Sequence, residues 1–275
     1  MRHKPAEVAP RDKPAEVAPR YKPAEVAPRD KPAEVAPQAP GHYSARAAYA
    51  APGVPGACLL PAARRVLALI ARPGQESVEL GALLYTFRRA GASVALLSVT
   101  RGEASPLNAT SERLESLRPW ELSSAAGVLG ISSVAVADFP DGRLSRCPVE
   151  AITERVAREM ARHAPDLLLI VDPFMAGSDE AVLAQAACAA AERAGVPAVA
   201  GAVPATGGGW LTDLGAGAPG ARAVQRAAAA AHESQVEAMP AVRRHLSSLG
   251  RGERLRWLVA GRGRGGHTLG RVSVI

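Results

Sequence analysis

From Arg65 onward, short apolar runs alternate with amphipathic segments, and this alternation limits the folds that the chain can adopt. A continuous apolar run of about four to eight residues is typical of a strand buried on both faces, which requires helices above and below the sheet. We therefore predict a Rossmann-like α/β fold, in which a parallel sheet carries helices on both faces. The predicted strands are Val66–Ala71, Ser93–Val99, Ser133–Ala137, Leu167–Val171 and Ala198–Val203. The predicted helices are Glu76–Ala90, Glu112–Leu129, Val149–His163, Glu180–Ala194 and Ala221–Leu249.

The N-terminal segment has a different character. Residues 4–39 contain four copies of a nine-residue unit, Lys-Pro-Ala-Glu-Val-Ala-Pro-Arg-Asp, with small variations. Each unit has two prolines and one branched apolar residue, which is too little apolar surface to offset the entropy lost on ordering. We predict disordered repeats and linker over 1–62, an α/β domain over 63–260 and a basic Gly/Arg-rich tail over 261–275. A second interpretation, in which the repeats form a multivalent ligand for a partner, stays open.

The formal net charge of +7 is concentrated towards the C-terminus, where eight arginines and one acid follow from Arg243 onward. Such asymmetry is typical of proteins with an anionic partner, but no aromatic residues alternate with these arginines, so we do not expect nucleic-acid binding. No apolar run is long enough to predict a membrane span, and no secretory signal pattern opens the chain, so we expect a cytoplasmic protein. The three cysteines, Cys58, Cys147 and Cys188, lie far apart and are expected to be reduced.

The first predicted strand leads directly into the turn Arg72-Pro73-Gly74-Gln75-Glu76 and then into a helix. The carboxyl end of a strand in an open α/β sheet is where ligands usually bind. Together with six later segments in the same order, this turn resembles the PIG-L/LmbE family of zinc-dependent N-acetylglucosaminyl deacetylases. The segments are Val66–Pro73 with Glu76, Thr100–Ala104, Arg118–Glu121, Phe139–Gly142, Pro165–Leu169, Gly177–Val182 and His232–Gln235.

The resemblance implies where a catalytic centre would lie. In the family the turn reads Ala-His-Pro-Asp-Asp-Glu and a later motif reads His-Pro-Asp-His; the turn histidine, the second turn aspartate and the last histidine hold zinc. The first turn aspartate is the general base, and the first histidine of the later motif supports the oxyanion. Of the family residues, Pro73, Glu76 and Asp179 are kept. The ligand positions correspond to Arg72, Gln75 and Glu180, the base position to Gly74 and the oxyanion-helper position to Gly177.

These substitutions predict that no intact catalytic residue remains. A permanent guanidinium cation repels Zn²⁺, glycine cannot accept a proton, and one carboxylate with one amide makes a poor zinc site. We therefore expect a catalytically impaired relative with no cofactor; zinc would be required if the chain were active as in the family. The pocket candidates, which would contact an N-acetyl-sugar-type small molecule, are Arg72, Gln75, Glu76, Arg118, Asp141, Asp179 and Glu180.

One hypothesis follows from the paired exchange of a ligand for a cation and a facing ligand for an anion. We expect Arg72 to fill the place of the metal and to form an ion pair with Glu180 or Asp179. By contrast, His232 and Gln235 are interpreted as contacts between a helix and the core, and Arg118 with Glu121 has the spacing of a surface pair on a helix.

Two alternatives to an impaired deacetylase stay open. In the first, an active N-acetyl-sugar deacetylase uses substitute metal ligands drawn from Glu76, Asp172, Asp179 and Glu180. In the second, a non-enzymatic interaction protein uses the repeats and the basic tail as tethers. The sequence does not determine the oligomeric state.

Overall fold

The computed structural model describes residues 60–104, 111–173, 178–206, 208–236 and 239–259. The repeats, most of the predicted linker, Cys58 and the predicted basic tail lie outside these residues, so the domain boundaries stay predictions. Along the described chain the secondary structure follows an alternating order. The elements are β1 Arg65–Ile70, α1 Gln75–Val78, α2 Gly81–Arg89, β2 Ser93–Thr100, α3 Ser111–Leu129, β3 Ser133–Phe139, a 3₁₀ turn Leu144–Arg146, α4 Val149–His163, β4 Leu167–Val171, α5 Ser178–Ala194, β5 Ala198–Gly201, β6 Trp210–Asp213, α6 Leu214–Gly217, α7 Ala221–Ala230, α8 Glu233–Val236, α9 Pro240–Ser248 and β7 Gly252–Val259.

The strands form one seven-stranded sheet in the order β3-β2-β1-β4-β5-β7-β6. Strands β1 to β5 are parallel, which confirms the predicted α/β class, whereas β7 pairs antiparallel with β5 and β6 pairs antiparallel with β7. The antiparallel strands β6 and β7 at one edge are additions that the sequence analysis did not predict. The chain proceeds outward from β1 to β3 and then restarts on the other side with β4. This reversal of strand order opens a crevice at the carboxyl ends of β1 and β4.

Both faces of the central strands are buried, as their continuous apolar runs predict. In β1, Val66, Ala68 and Ile70 pack on one face, against residues of α2, α3 and α7. Leu67 and Leu69 pack on the other face, against residues of α4 and α5. Helices on both sides of the sheet fix the positions of the loops at its carboxyl edge. Among the described helices, none is long and apolar enough to span a bilayer.

Two predicted helices are interrupted. The segment predicted as one helix from Glu76 to Ala90 forms α1 and α2, which meet at Leu80. The segment predicted from Ala221 to Leu249 forms α7, α8 and α9. Pro240 begins α9 because it cannot donate a backbone hydrogen bond, and it disfavours helical backbone at Met239, which is extended at φ −122° and ψ 92°.

Candidate active site

The turn after β1 is held by its own side chains. The side-chain oxygen of Gln75 accepts hydrogen bonds from the backbone N–H groups of Ala71 and Arg72, at 2.9 and 3.3 Å. The Glu76 carboxylate accepts a bond from the Gly74 N–H at 2.8 Å and another from the Ser77 hydroxyl at 2.6 Å. The side chains of Gln75 and Glu76 thus fix the backbone of the turn, and the oxygens that accept these bonds are not available to a ligand.

Arg72 forms an ion pair across the crevice. Its guanidinium Nη2 lies 2.7 Å from Glu180 Oε1, in the first turn of α5, and its Nη1 lies 3.9 Å from Asp141 Oδ1. The Gln75 amide donates to the same Glu180 oxygen. The Glu180 side chain is only 2% exposed, whereas that of Arg72 is 37% exposed. The structure therefore joins the two positions that the sequence hypothesis pairs, with the cation between β1 and α5.

Asp179 has a different role from the one that the sequence offered as an alternative. Its two carboxylate oxygens accept bonds from the backbone N–H groups of Gly142 and Leu144, at 2.6 and 3.0 Å. No ion pair joins it to Arg72, although the structure describes both residues. Asp141 lies in the loop that Asp179 holds, and it accepts bonds from the Thr100 hydroxyl at 3.3 Å and from a backbone N–H at 2.9 Å. Asp179 therefore positions the loop that brings Asp141 to Arg72.

Arg118 is buried instead of lying on the helix surface, so the interpretation of Arg118 and Glu121 as an exposed pair was wrong. The side chains are 3% and 2% exposed. Arg118 donates to the Gly102 carbonyl, its buried Nε has no hydrogen-bond partner, and burial lowers the pKa of its guanidinium. At Gly102, with φ +77°, a Cβ would lie 3.0 Å from Arg118 Cδ and 3.1 Å from Pro73 Cδ. Glycine there lets Arg118 pack beside the turn.

A fully buried histidine joins the turn to the C-terminal helices. His232 Nε2 lies 2.5 Å from Glu76 Oε1, and both side chains are 0% exposed. The other ring nitrogen of His232 lies 3.3 Å from the amide nitrogen of Gln235. Glu121 accepts two bonds from Ser234, from its N–H at 2.8 Å and from its hydroxyl at 2.7 Å. The interpretation of His232 and Gln235 as core contacts agrees with this arrangement, but the pairing with Glu76 is a contact that sequence reasoning did not find.

Gly74, which stands at the base position, has a backbone conformation that favours glycine. Gly74 has φ +103°, a conformation that residues with a side chain rarely adopt. A Cβ at this position would lie 2.6 Å from Gln235 Oε1 and 2.8 Å from Gln235 Nε2. The carboxamide of Gln235 therefore occupies the space into which a carboxylate from residue 74 would project.

The donor set does not fit zinc. Within the described part of the chain, no group of three histidine, cysteine, aspartate or glutamate side chains is arranged to hold a metal ion. Gly177 lies outside the described residues. Each candidate substitute ligand has another partner: Glu76 contacts His232, Asp172 pairs with Arg256 at 2.6 Å, Asp179 accepts backbone bonds and Glu180 pairs with Arg72. A guanidinium at a ligand position also repels a dication.

Comparison with known proteins identifies the family. The family model for PIG-L, GlcNAc-PI de-N-acetylase, matches residues 67–191, which include the turn, Arg118, Asp141 and Glu180. Residues 67–191 belong to the PIG-L family. The recognition from sequence is thereby confirmed. A curated relative, 1D-myo-inositol 2-acetamido-2-deoxy-alpha-D-glucopyranoside deacetylase from Kineococcus radiotolerans, is 35% identical over 85 residues. That match spans 29% of this chain and only 24% of the relative's length.

Solved structures share the fold. N,N'-diacetylchitobiose deacetylase from Pyrococcus horikoshii matches with a TM-score of 0.60 at 14% identity, over 71% of this chain and 84% of that one. 4-carboxy-2-hydroxymuconate hydratase from Pseudomonas putida KT2440 matches with a TM-score of 0.59 at 16% identity, over 75% and 100% of the two chains. At these identities the likeness establishes the fold alone. The same fold carries a deacetylase in one protein and a hydratase in another.

Proposed function

We propose that this PIG-L-type protein binds a small acetamido-sugar-like molecule at the Arg72 crevice and does not hydrolyse amides by the zinc mechanism of its family. The observation that carries the proposal is the ion pair of Arg72 with Glu180, at 2.7 Å. Both residues stand at positions that correspond to zinc ligands, so the cation of the site is part of the polypeptide. The ligand class rests on the acetamido-sugar and chitobiose deacetylases among the similar proteins.

Charge balance supports the exchange of a metal for a guanidinium. In the pattern that the family implies, a zinc dication lies among two turn aspartates, and that set is neutral. Here both aspartate positions are uncharged, and the remaining cation and anion, Arg72 and Glu180, also form a neutral set. The crevice thus keeps its overall charge without a metal. A structural ion pair of this type orders β1 relative to α5 but offers no activated water.

The base position supports the loss of hydrolysis independently. Gly74 has no proton acceptor, and loss of a general base typically lowers a rate by about 10²–10⁴-fold. Because Gln235 fills the space beside Gly74, a side chain at residue 74 would require a local rearrangement. An amide bond bound beside Arg72 would therefore lack both the activated water and the group that removes its proton.

The test combines metal content, hydrolysis and binding. Purified protein, with and without added Zn²⁺, is analysed for zinc and assayed with N,N'-diacetylchitobiose, while ligand-observed NMR reports binding. We expect no stoichiometric zinc, no acetate release and measurable binding. Stoichiometric zinc that a chelator removes together with acetate release would overturn the loss of hydrolysis. Absence of binding to any N-acetylated sugar would overturn the ligand class instead.

Two matched variants separate the ligand positions from the base position. The variant Arg72→His, Gln75→Asp, Glu180→His restores only the ligand types, and a second variant adds Gly74→Asp. We expect the first to gain zinc without hydrolysis. The second is expected to be less stable than the first, because it places a side chain on backbone with positive φ.

A further inference from the structure

A second groove lies at the amino ends of the strands, whereas Arg72 follows the carboxyl end of β1. Helix α2 ends where β2 begins and helix α3 ends where β3 begins, so the two helix ends meet at the amino ends of the strands. The cavity between them has a volume of about 320 Å³. Its lining residues are Tyr85, Arg88, Arg89, Val128, Leu129 and Gly130. Because the crevice of the PIG-L site lies at the carboxyl ends, this groove is independent of the proposed function.

The groove is positively charged without a counterion. Neither Arg88 nor Arg89 has a carboxylate within 4.0 Å among the side chains that the structure describes. Other exposed arginines do pair with acids, for example Arg193 with Glu150 at 2.7 Å. Two guanidinium groups that line one cavity without an acid form a site for an anion, because a guanidinium fork matches carboxylate and phosphate oxygens.

The hydrogen bonds of Arg88 leave part of its guanidinium unused. Nη1 donates to the Ala92 carbonyl at 2.8 Å, whereas the buried Nε has no partner. Within the described residues, Nη2 has no hydrogen-bond partner either. Gly130, at φ +72°, lies against this group, and a Cβ there would be 3.5 Å from Nε. Glycine at this position leaves the space beside the guanidinium free of a side chain.

The other walls are apolar. Val128 is 44% exposed, a high value for a large aliphatic side chain, and Tyr85 is half-buried at the opposite wall. We propose that this groove binds a small molecule with an oxyanion head, carboxylate or phosphate, on an apolar or aromatic body. The head pairs with Arg88 and Arg89, and the body packs between Tyr85 and Val128.

If the arginines only stabilised the end of their helix, Arg89→Gln would affect anion binding no more than a matched substitution elsewhere. Cations in the last turn of a helix stabilise it by interacting with its dipole. The last carbonyls of α2 already accept backbone bonds: Thr86 O from the Ala90 N–H at 2.9 Å and Phe87 O from the Ala92 N–H at 3.0 Å. Arg162 provides the matched control because it is also exposed and also lies in the last turn of its helix, α4, but does not line the groove.

The experiment uses the full chain at low ionic strength. Phenyl phosphate, benzoate and the neutral benzyl alcohol are titrated by calorimetry, and Arg89→Gln and Arg162→Gln are compared with the unmodified protein. We expect both oxyanions to bind, with the alcohol much weaker. Arg89→Gln should weaken binding about tenfold, as expected for one charge-assisted contact, and Arg162→Gln should leave it unchanged. The preferred head group follows from the ratio of the phosphate and carboxylate affinities.

Three results would overturn the proposal. The first is no oxyanion binding at millimolar concentration, the second is equal binding of benzyl alcohol, and the third is equal weakening by Arg89→Gln and Arg162→Gln. Arg89 is exposed and makes no hydrogen bond within the described residues, so Arg89→Gln is expected to fold. Arg88 is left intact because its bond to Ala92 supports the end of α2.

Discussion

The ion pair of Arg72 with Glu180 makes a quantitative prediction for a double-mutant cycle. Removing one partner of a fully buried pair costs about 3–5 kcal/mol, whereas exposed pairs contribute about 0–1 kcal/mol. Here the carboxylate is 2% exposed and the guanidinium 37% exposed, so solvent screens only one end. We expect Arg72→Met to lower the free energy of unfolding by about 2 kcal/mol, discounted from the buried range for that exposure. Glu180→Gln should cost about 1 kcal/mol, since a neutral amide needs no counterion.

The coupling energy of the cycle is the decisive quantity. We expect about 1–1.5 kcal/mol between the two substitutions, which corresponds to about 0.5–0.75 M in urea midpoint for a slope near 2 kcal/mol per M. Arg193 and Glu150 form the control cycle, because their N–O distance is also 2.7 Å but both side chains are more than half exposed. Their coupling should be smaller. If the coupling energy of the Arg72 cycle is no larger than that of the control cycle, the proposed role of Arg72 as a structural cation is refuted.

Two further predictions concern backbone conformation and pH. Gly74→Ala should destabilise the protein by about 1–2 kcal/mol because φ is +103°. Gly127 is exposed within α3 and no atom lies near the position of its Cβ, so Gly127→Ala should stabilise the protein by about 0.5–1 kcal/mol. Similar effects of the two substitutions on urea unfolding would contradict this prediction. Burial raises the pKa of Glu79 above 4.5, so its contribution to stability is lost as pH rises through the folded-state pKa. Glu79→Gln should therefore gain stability relative to the unmodified protein as pH rises from 4.5 to neutrality, and a gain confined to acid pH would contradict the assignment.

Much of the sheet could be predicted because its strands are buried on both faces. The apolar runs that begin at Val66 and Leu167 have no polar interruption, and helices of amphipathic period separate them. The hairpin of β6 and β7 could not be predicted in this way. Trp210–Asp213 has only four residues, and Gly252–Val259 contains charged residues that resemble a basic tail. The charge of Arg256 is tolerated in the sheet because it pairs with Asp172, a partner 84 positions away.

Sequence reasoning anticipated one contact of the candidate site, the ion pair of Arg72 with Glu180, but not the contacts that surround it. The strand–turn–helix at Arg72 follows from local pattern, and the facing position of Glu180 follows from family resemblance. The contact of His232 with Glu76 joins residues 156 positions apart, and the burial of Arg118 depends on Gly102 packing beside Pro73. Such contacts are set by how helices dock on the sheet, which local periodicity does not specify.

The conformation of Gly74 limits which substitutions the turn after β1 can accept. The variants most similar to this chain are those that differ from it by a single substitution. Any residue other than glycine at position 74 would have a strained backbone conformation and a Cβ close to the Gln235 carboxamide. An acid at this position is therefore expected to lower the free energy of unfolding unless the turn changes conformation and Gln235 moves. We therefore expect substitutions in this turn to be accepted more readily at Arg72 and Gln75, which do not have positive φ, than at Gly74.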